Sequence, residues 1–561
     1  MSDHIDAGKS FDVIVVGSGA AGGFAAKELT EQGLAVLVIE AGRSLKKKDI
    51  RRPSKSKRGN MQLFPRIRAT LFGQHIQARV AFFSEHMRHL FVNDWKHGYT
   101  TPKDAPFMWI RGRQVGGRLH TFGRVLFRWS DYDFRGSRGG AVGMDWQISY
   151  TDLAPWYEKV ERFLGIAGNI DNVETAPDGI MAEPTPLTPE ERSFRTEVQT
   201  HWKERHVVAW RFNPHDGERI PSALRAAIRT GKLTLQSDSI ATTITTDPVT
   251  GRATGVMYVN RQDKTRHVTQ AKAVVVCASP IESLRLLLNS CSARHPKGLG
   301  NSSGTLGRYF MDQCPSLMFG QWPASRREGP DTTLPVHPLF GNTGGLYVPR
   351  YQNTKGTCNP KFPKGYTYQG SIGRHDAPKT EAPTRAVTIM AFGEMLPYAD
   401  NSITLDPRRR DQWGVPLPHI RCSLHPVERN MLRQQISDCA DMIEAGGGKV
   451  DFCVSPLGLE EKEGGFFPEK SSLARWFLRK MFPKSMVMGA AIHESGGARM
   501  GNDPATSVLN NYCQAWDAPN LYVTDASCFP TGGALGTTLT VMALTARSSH
   551  HLATELKAGR L

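Results

Sequence analysis

Hydrophobic positions first fall into a readable pattern at FDVIVVG (11–17), a short apolar, β-branched run of the kind that fills a buried parallel strand. The run breaks at Gly17-Ser18-Gly19-Ala20-Ala21-Gly22. GFAAKELTEQG then reads as a helix ending near Gly33, and LAVLVIE (34–40) as a second buried strand. Further on, residues 233–279 alternate strands with polar turns and close on the apolar strand AVVVCAS, after which PIESLRLLLNS reads as a helix. From 314 to about 485 the spacing becomes irregular and richer in proline and aromatics. That stretch is expected to form a second, α+β unit, a mainly antiparallel sheet with helices over its outer side. No internal repeat or low-complexity tract interrupts the chain.

The opening strand, glycine turn, helix and strand make one βαβ unit of about thirty residues, the Rossmann-like nucleotide-binding arrangement. Its glycines have separate tasks. Gly17 permits the tight turn, Gly19 lets backbone N–H groups approach a diphosphate, and Gly22 lets helix and strand pack closely. With Ala20 and Ala21 they form a candidate cradle, in which a diphosphate rests on the helix N-terminus. Glu40 ends the second strand where a carboxylate accepts ribose hydroxyls, and Ala41 and Arg43 follow it. By itself this unit does not separate FAD from NAD.

Composition is that of an ordinary globular protein, 39% hydrophobic and 22% charged over 561 residues, too long for one simple core. Nine scattered cysteines contain no CxxC pair, which fits neither a disulfide framework nor an iron–sulfur cluster and favours reduced thiols. No haem motif CxxCH occurs. The first ten residues lack an apolar core, so a cytoplasmic location is expected, with export only through a signal-bearing partner. No apolar run is long enough to span a membrane. The net charge of +17 is densest in RSLKKKDIRRPSKSKRG (43–59), read as a solvated loop, with docking to an anionic surface or acidic partner the alternative. No zinc-finger spacing or RNA-binding aromatic motif accompanies it, so nucleic acid is not an expected partner.

Two distant segments carry a more specific signal. WIRGRQVGGRLHTFGR (109–124) sets Arg111 and Arg113 beside the Gly116-Gly117 turn. HESGGARMGNDPATSVLNNYCQAWDAPNLYVTDASCFPTGGALGTTLTVMALTAR (493–547) opens on a histidine in a glycine loop. His493-Glu494 begins like HExxH, but position 497 is glycine, so a zinc site is not expected. Together these segments resemble the glucose-methanol-choline flavoenzymes, and RWSDYDF with DWQISYTDLAPWYEKVERFLGIAG resembles their sugar- and glycoside-oxidising branch.

The resemblance implies a discontinuous FAD domain: residues 1–313 with a cap-like insertion at about 145–195, then a substrate domain at 314–485, then a return segment at 486–561. It also implies that Arg113, Gly116, Gly117 and Thr121 line the flavin and diphosphate. Backbone near Ile240 and Ala241 would contact adenine, and Ala278 and Ser279 would approach the nucleotide. Asp525 and Ala526 would lie by the diphosphate, and the last helix would aim its N-terminus, at Thr538, toward the flavin. His493 is the implied base, because an alcohol must lose its O–H proton while its carbon gives up hydride.

Three departures stand out. Relatives that bond the flavin covalently carry a histidine where this chain has Thr121, with His120 one residue earlier, so noncovalent FAD is expected and His120 is the alternative attachment. Gln313 stands where a histidine is common. Gly536 replaces the usual second polar residue, leaving Thr537 or Thr538 to orient the substrate hydroxyl. His419 and Trp413 could touch substrate or simply pack in the core. The implied reaction is oxidation of a secondary alcohol of a sugar or glycoside to a ketone, with electrons leaving to oxygen, a quinone or a separate acceptor protein. A lyase-like flavoprotein and a non-catalytic flavoprotein subunit are the alternatives that Gly536 keeps open. The oligomeric state is not legible.

Overall fold

Phe11–Val16 becomes the strand around which the first sheet is built, because all of its side chains except Asp12 are apolar and buried. In the computed structural model the described residues are 10–50, 63–80, 83–135, 143–324, 336–337, 339, 341–355, 357–374, 383–463, 465 and 472–561. Residues 51–59 of the basic run therefore lie outside the described residues. The sheet runs in the order Leu233–Gln236, Val36–Ile39, Phe11–Val16, Arg266–Val276, Ala253–Asn260, Ser239–Thr246. Its first four strands are parallel and the last three form an antiparallel meander. Leu521–Val523 returns from near the C-terminus to pair in parallel with Val274–Val276.

The helix Ala20–Glu31 crosses this sheet and packs against Thr538–Lys557 and Ser222–Arg229. Tyr150–Leu164 covers the C-terminal helix in turn. A Ser149/Asp152 capping box starts it, and Gly165 ends it at φ 63°.

The second unit is a seven-stranded antiparallel sheet, as expected from the sequence. Its order is Gly458–Glu461, Lys449–Ser455, Gln313–Pro323, Thr384–Glu394, Tyr366–Ile372, Leu346–Val348, Val208–Ala209. Pro426–Ala445 lies on this sheet and Pro189–His201 packs on that helix. The edge strand Val208–Ala209 comes from the first half of the chain. Two residues carry no periodicity; the antiparallel register Ala209–Leu346 and Val208–Tyr347 gives its place, with Trp210 N–H bonded to Gly345 O (2.9 Å) and Trp210 Nε1 to Leu346 O (2.8 Å).

A separate hairpin, Ser402–Arg410 with Pro416–Arg421, leaves the second sheet and lies against helix Pro280–Asn289 of the first unit. Among the described residues, no helix is long and apolar enough to cross a membrane. All nine cysteines are unpaired, and only Cys291 and Cys358 are exposed.

Candidate active site

The glycine turn divides into two positions that packing demands and one that it does not. Gly17 has φ +98°, and a Cβ there would stand 2.5 Å from Cys277 O. A Cβ on Gly22 would lie 1.9 Å from Gly17 O. Gly19 is different: a Cβ there would meet nothing within 4 Å. Gly19 thus faces open space at the start of a helix that has no side-chain cap, where unpaired N–H groups favour an anion. Ala20 and Ala21 form the first turn of that helix.

Glu40 ties the turn to the second strand. Its carboxylate accepts from Ser18 N–H (3.0 Å), Ser18 Oγ (2.5 Å) and Gly42 N–H (2.7 Å), and burial raises its pKa. Ser18 Oγ also accepts from Gly116 N–H at 3.0 Å, and a Cβ on Gly117 would sit 3.7 Å from Gly19 Cα. The 109–124 segment therefore meets the glycine turn directly. Thr121 ends the short helical turn Gly117–His120. Ala278 N–H donates to Ser283 Oγ, which donates to Asp525, while the other Asp525 oxygen accepts from Ser527 N–H. Ala526 follows in the same turn. Ser279 adopts φ +75° before helix Pro280–Asn289. These residues, drawn from five chain segments, surround one end of the parallel strands.

Next to Glu40, Ala41 gathers with Ile240, Val259 and Trp413 in one apolar cluster. Ala241 follows Ile240 on the strand, half-buried. Trp413 thus lies beside the residues implied to hold adenine. Arg113 donates to Glu282 at 2.8 Å and to His97 Nδ1 at 3.1 Å. Burial opposes ionisation of Glu282, but Arg285, Arg113 and Arg111 hold its pKa down to about 2. Arg43 is paired with Asp49 at 2.7 Å. His419 meets Thr100 Oγ1 at 2.8 Å on the hairpin, and no contact joins it to His493.

His493 is fixed through its Nδ1, which lies 2.6 Å from Gln313 Oε1. The Gln313 amide group donates to Gly533 O (2.9 Å) and Leu535 O (2.7 Å). An NH2 so engaged leaves only the carbonyl oxygen for the imidazole, so Nδ1 carries the proton and Nε2 an open lone pair. Nε2 points at the missing side chain of Gly536, whose Cβ would be 3.8 Å away. Burial, then the Arg118 guanidinium, pushes the His493 pKa down to about 3. The ring is neutral at physiological pH. Phe392 packs beside it, ring centroids 5.0 Å apart.

Thr537 is the N-cap of helix Thr538–Lys557 and makes no side-chain capping bond. The first N–H groups of that helix are thus open to an anionic partner. His120 is buried, and its Nε2 is bonded to Val115 O at 2.9 Å.

Two neighbours of His493 escaped sequence reading. Asp312 accepts from His493 N–H (3.1 Å) and Gly489 N–H (2.7 Å). Burial, then Glu494, raises its pKa to about 7. Arg118 bridges Glu494 (2.7 Å) and Ser279 Oγ (2.9 Å), joining the loop at 117–120 to the histidine loop. Asp312 immediately precedes Gln313 and Arg118 immediately follows Gly117, so adjacency to a noted position was the only signal. The open Gly19, the uncapped helix at Thr538 and the polar ring at Glu40, Ser279 and Asp525 fit a dinucleotide carrying a flavin. Among the described residues, no group of three or more His, Cys, Asp or Glu side chains could hold a metal.

Family models described as GMC oxidoreductase match residues 11–314 and 397–545. The chain is 28% identical to 2-methyl-1,2-propanediol dehydrogenase of Mycolicibacterium austroafricanum, over 81% of this chain and 82% of that one. It is 25% identical to paromamine 6'-oxidase of Streptomyces fradiae (99% and 93% covered). It is 23% identical to the fructose dehydrogenase large subunit of Gluconobacter japonicus (98% and 99%). Among solved structures, formate oxidase of Aspergillus oryzae RIB40 superposes with TM-score 0.64 at 17% identity, covering 98% of this chain and 99% of that one. Pyridoxine 4-oxidase from Mesorbium loti gives TM-score 0.57 at 18% identity, with 97% and 99% covered. At such identities the superpositions speak to the fold alone.

Proposed function

Because this chain belongs to the GMC oxidoreductase family, which uses FAD to oxidise CH–OH groups, we propose that its substrate is a secondary alcohol of a sugar or glycoside, oxidised to the ketone. The observation that carries the proposal is the His493 tautomer, with Nδ1 held by Gln313 and Nε2 open before Gly536. His493 Nε2 takes the hydroxyl proton. Gln313 keeps the ring from turning and accepts from Nδ1–H while positive charge develops. FAD, when bound, supplies the acceptor for the hydrogen and electron pair that leave the carbinol carbon.

Gly17, Gly19, Ala20, Ala21, Gly22, Gly116, Gly117 and Asp525 would hold the diphosphate, Glu40 the ribose, and Ile240 and Ala241, with Ala41, the adenine. Thr121, Arg113, Ala278, Ser279 and Ala526 complete the surround. Thr537 and Thr538 are the polar groups next to Gly536, and in this reading they orient the substrate hydroxyl. The absence of a side chain at Gly536 leaves a secondary carbinol carbon free to stand next to the base. Several relatives act on sugars or glycosides by name, among them pyranose 2-oxidase and C-glycoside 3-oxidase. Relatives named as a large subunit and as a flavoprotein support a separate electron-acceptor protein. The bond from His120 Nε2 to Val115 O supports noncovalent FAD.

A second reading, oxidation of a small diol, is favoured by the 28% identity to 2-methyl-1,2-propanediol dehydrogenase. Mixing the yellow protein anaerobically with glycosides, polyols and 1,2-diols separates the two by which class bleaches the flavin. Bleaching by diols alone would sink the sugar assignment, and bleaching by no alcohol would sink the proposed reaction. His493→Ala should keep FAD but lose bleaching. After acid precipitation the yellow colour should stay in the supernatant, and a yellow pellet would restore His120 as an attachment point.

A further inference from the structure

The hairpin Ser402–Arg421 belongs in sequence to the second unit, yet its tip carries Trp413 into the first. There the indole packs with Ile240, Val259 and Ala41. His97 stacks on it with ring centroids 5.3 Å apart and 19° between planes, and the Arg113 guanidinium stands 5.2 Å from its centroid. Trp413 is 6% exposed, and its Nε1 is buried with no hydrogen-bond partner. An indole N–H can only donate, and buried donors are rarely left without an acceptor. This one lies among Ala41, Ile240 and Val259, the side chains next to Glu40.

The tip is held in place by one arginine. Arg285, on the helix that follows Ser279, donates through Nε to Pro416 O (2.7 Å) and through Nη2 to Val415 O (3.0 Å) and Asp411 Oδ2 (2.7 Å). The other Asp411 oxygen accepts from Trp413 N–H (2.9 Å) and Val415 N–H (3.0 Å). One carboxylate therefore shapes the turn that presents Trp413 and also latches it to helix Pro280–Asn289.

We infer that this hairpin is a clasp on the adenosine half of FAD, with Trp413 touching the nucleoside and Arg285 positioning it. The inference rests on the reading that Ala41 and Ile240 line the adenine. Adenosine offers what the indole N–H lacks, acceptors in its ring nitrogens and ribose oxygens, and an aromatic face besides. The clasp should therefore discriminate FAD from FMN, which has no adenosine.

The test is titration of the full-length apoprotein with FAD and, separately, FMN, followed by flavin fluorescence. Trp413→Ala should raise the FAD Kd about tenfold or more through lost stacking and donor, and Trp413→Phe about threefold through the donor alone. Arg285→Ala should fall between them, and none of the three should change the FMN Kd by more than about twofold. Circular dichroism of each variant checks that the fold is kept. FAD affinity unchanged in Trp413→Ala overturns the clasp while leaving the adenine site standing. FAD and FMN affinities falling together also overturn it, because the loss would not be specific to adenosine. A wild-type chain that binds FMN as tightly as FAD removes the adenine site itself, and the clasp with it.

Discussion

Gln313→Leu isolates the tautomer lock with little change in side-chain volume. In the wild type the amide makes three bonds, at 2.6, 2.9 and 2.7 Å. Losing the first removes about 1.5 kcal/mol of preference for a proton on Nδ1, roughly a tenfold change in the population with an open Nε2. An imidazole free to turn loses further reactive population, so the rate constant for anaerobic flavin reduction should fall about 10- to 100-fold. Gln313 makes no contact that would bind substrate, so half-saturation of that rate should move little. The other two bonds leave Gly533 O and Leu535 O without a donor, at a cost of about 1–3 kcal/mol in unfolding free energy. Stopped-flow reduction at saturating substrate, with chemical denaturation alongside, measures both. A variant that reduces within twofold of wild type would refute the lock, whatever its stability.

The His493 pKa of about 3 makes the flavin-reduction rate flat, as far as this group is concerned, from pH 8 down to pH 5. The rate should drop only as protonation removes the base near pH 3, so an acid limb near 6.5 would contradict the assignment. Asp312, raised to about 7 by burial and by Glu494, binds its proton more tightly in the folded than in the unfolded chain. Its contribution to stability is therefore present below about pH 4 and lost as pH rises through about 7. Thermal unfolding should show this fall between about pH 4 and 7, and Asp312→Asn should flatten it. Gly19→Ala should leave apoprotein stability unchanged while weakening FAD binding. Gly22→Ala, with its Cβ 1.9 Å from Gly17 O, should destabilise the apoprotein itself, a contrast visible by calorimetry. Gly536→Ala meets only ordinary contacts, at 3.7 Å to Val125 O and 3.8 Å to His493 Nε2. It should fold normally yet raise the substrate KM about tenfold, as a methyl group fills the space before the base.

The first unit was legible because its signals are local. A buried parallel strand, a turn that only glycine can make and a terminal carboxylate all fall within thirty residues, and each fixes its neighbours. The antiparallel character of the second sheet followed from the family resemblance, but its edge strand Val208–Ala209 did not, since two residues carry no pattern. At the site, the sequence marked Gln313 as a departure from histidine without showing its purpose. Only the carbonyls of Gly533 and Leu535, over two hundred residues away, decide which amide atom faces His493. For Trp413 the sequence favoured core packing over substrate contact, and its place beside Ala41 and Ile240 depends on the hairpin folding onto helix Pro280–Asn289. Arg118 and Glu494 pair across most of the chain, which no spacing rule can reach.

The parallel pairing of Leu521–Val523 with Val274–Val276 also has a consequence for synthesis. A nascent chain has the glycine turn, Glu40 and the meander early, but the outer edge of Val274–Val276 stays unpaired until Leu521–Val523 has been made. That edge is apolar and flat, the kind that recruits strands from other chains. Holding it apart until the last segment emerges is a task for a chaperone or for slow elongation. A product truncated before Leu521 would join aggregates rather than persist as a half-active enzyme.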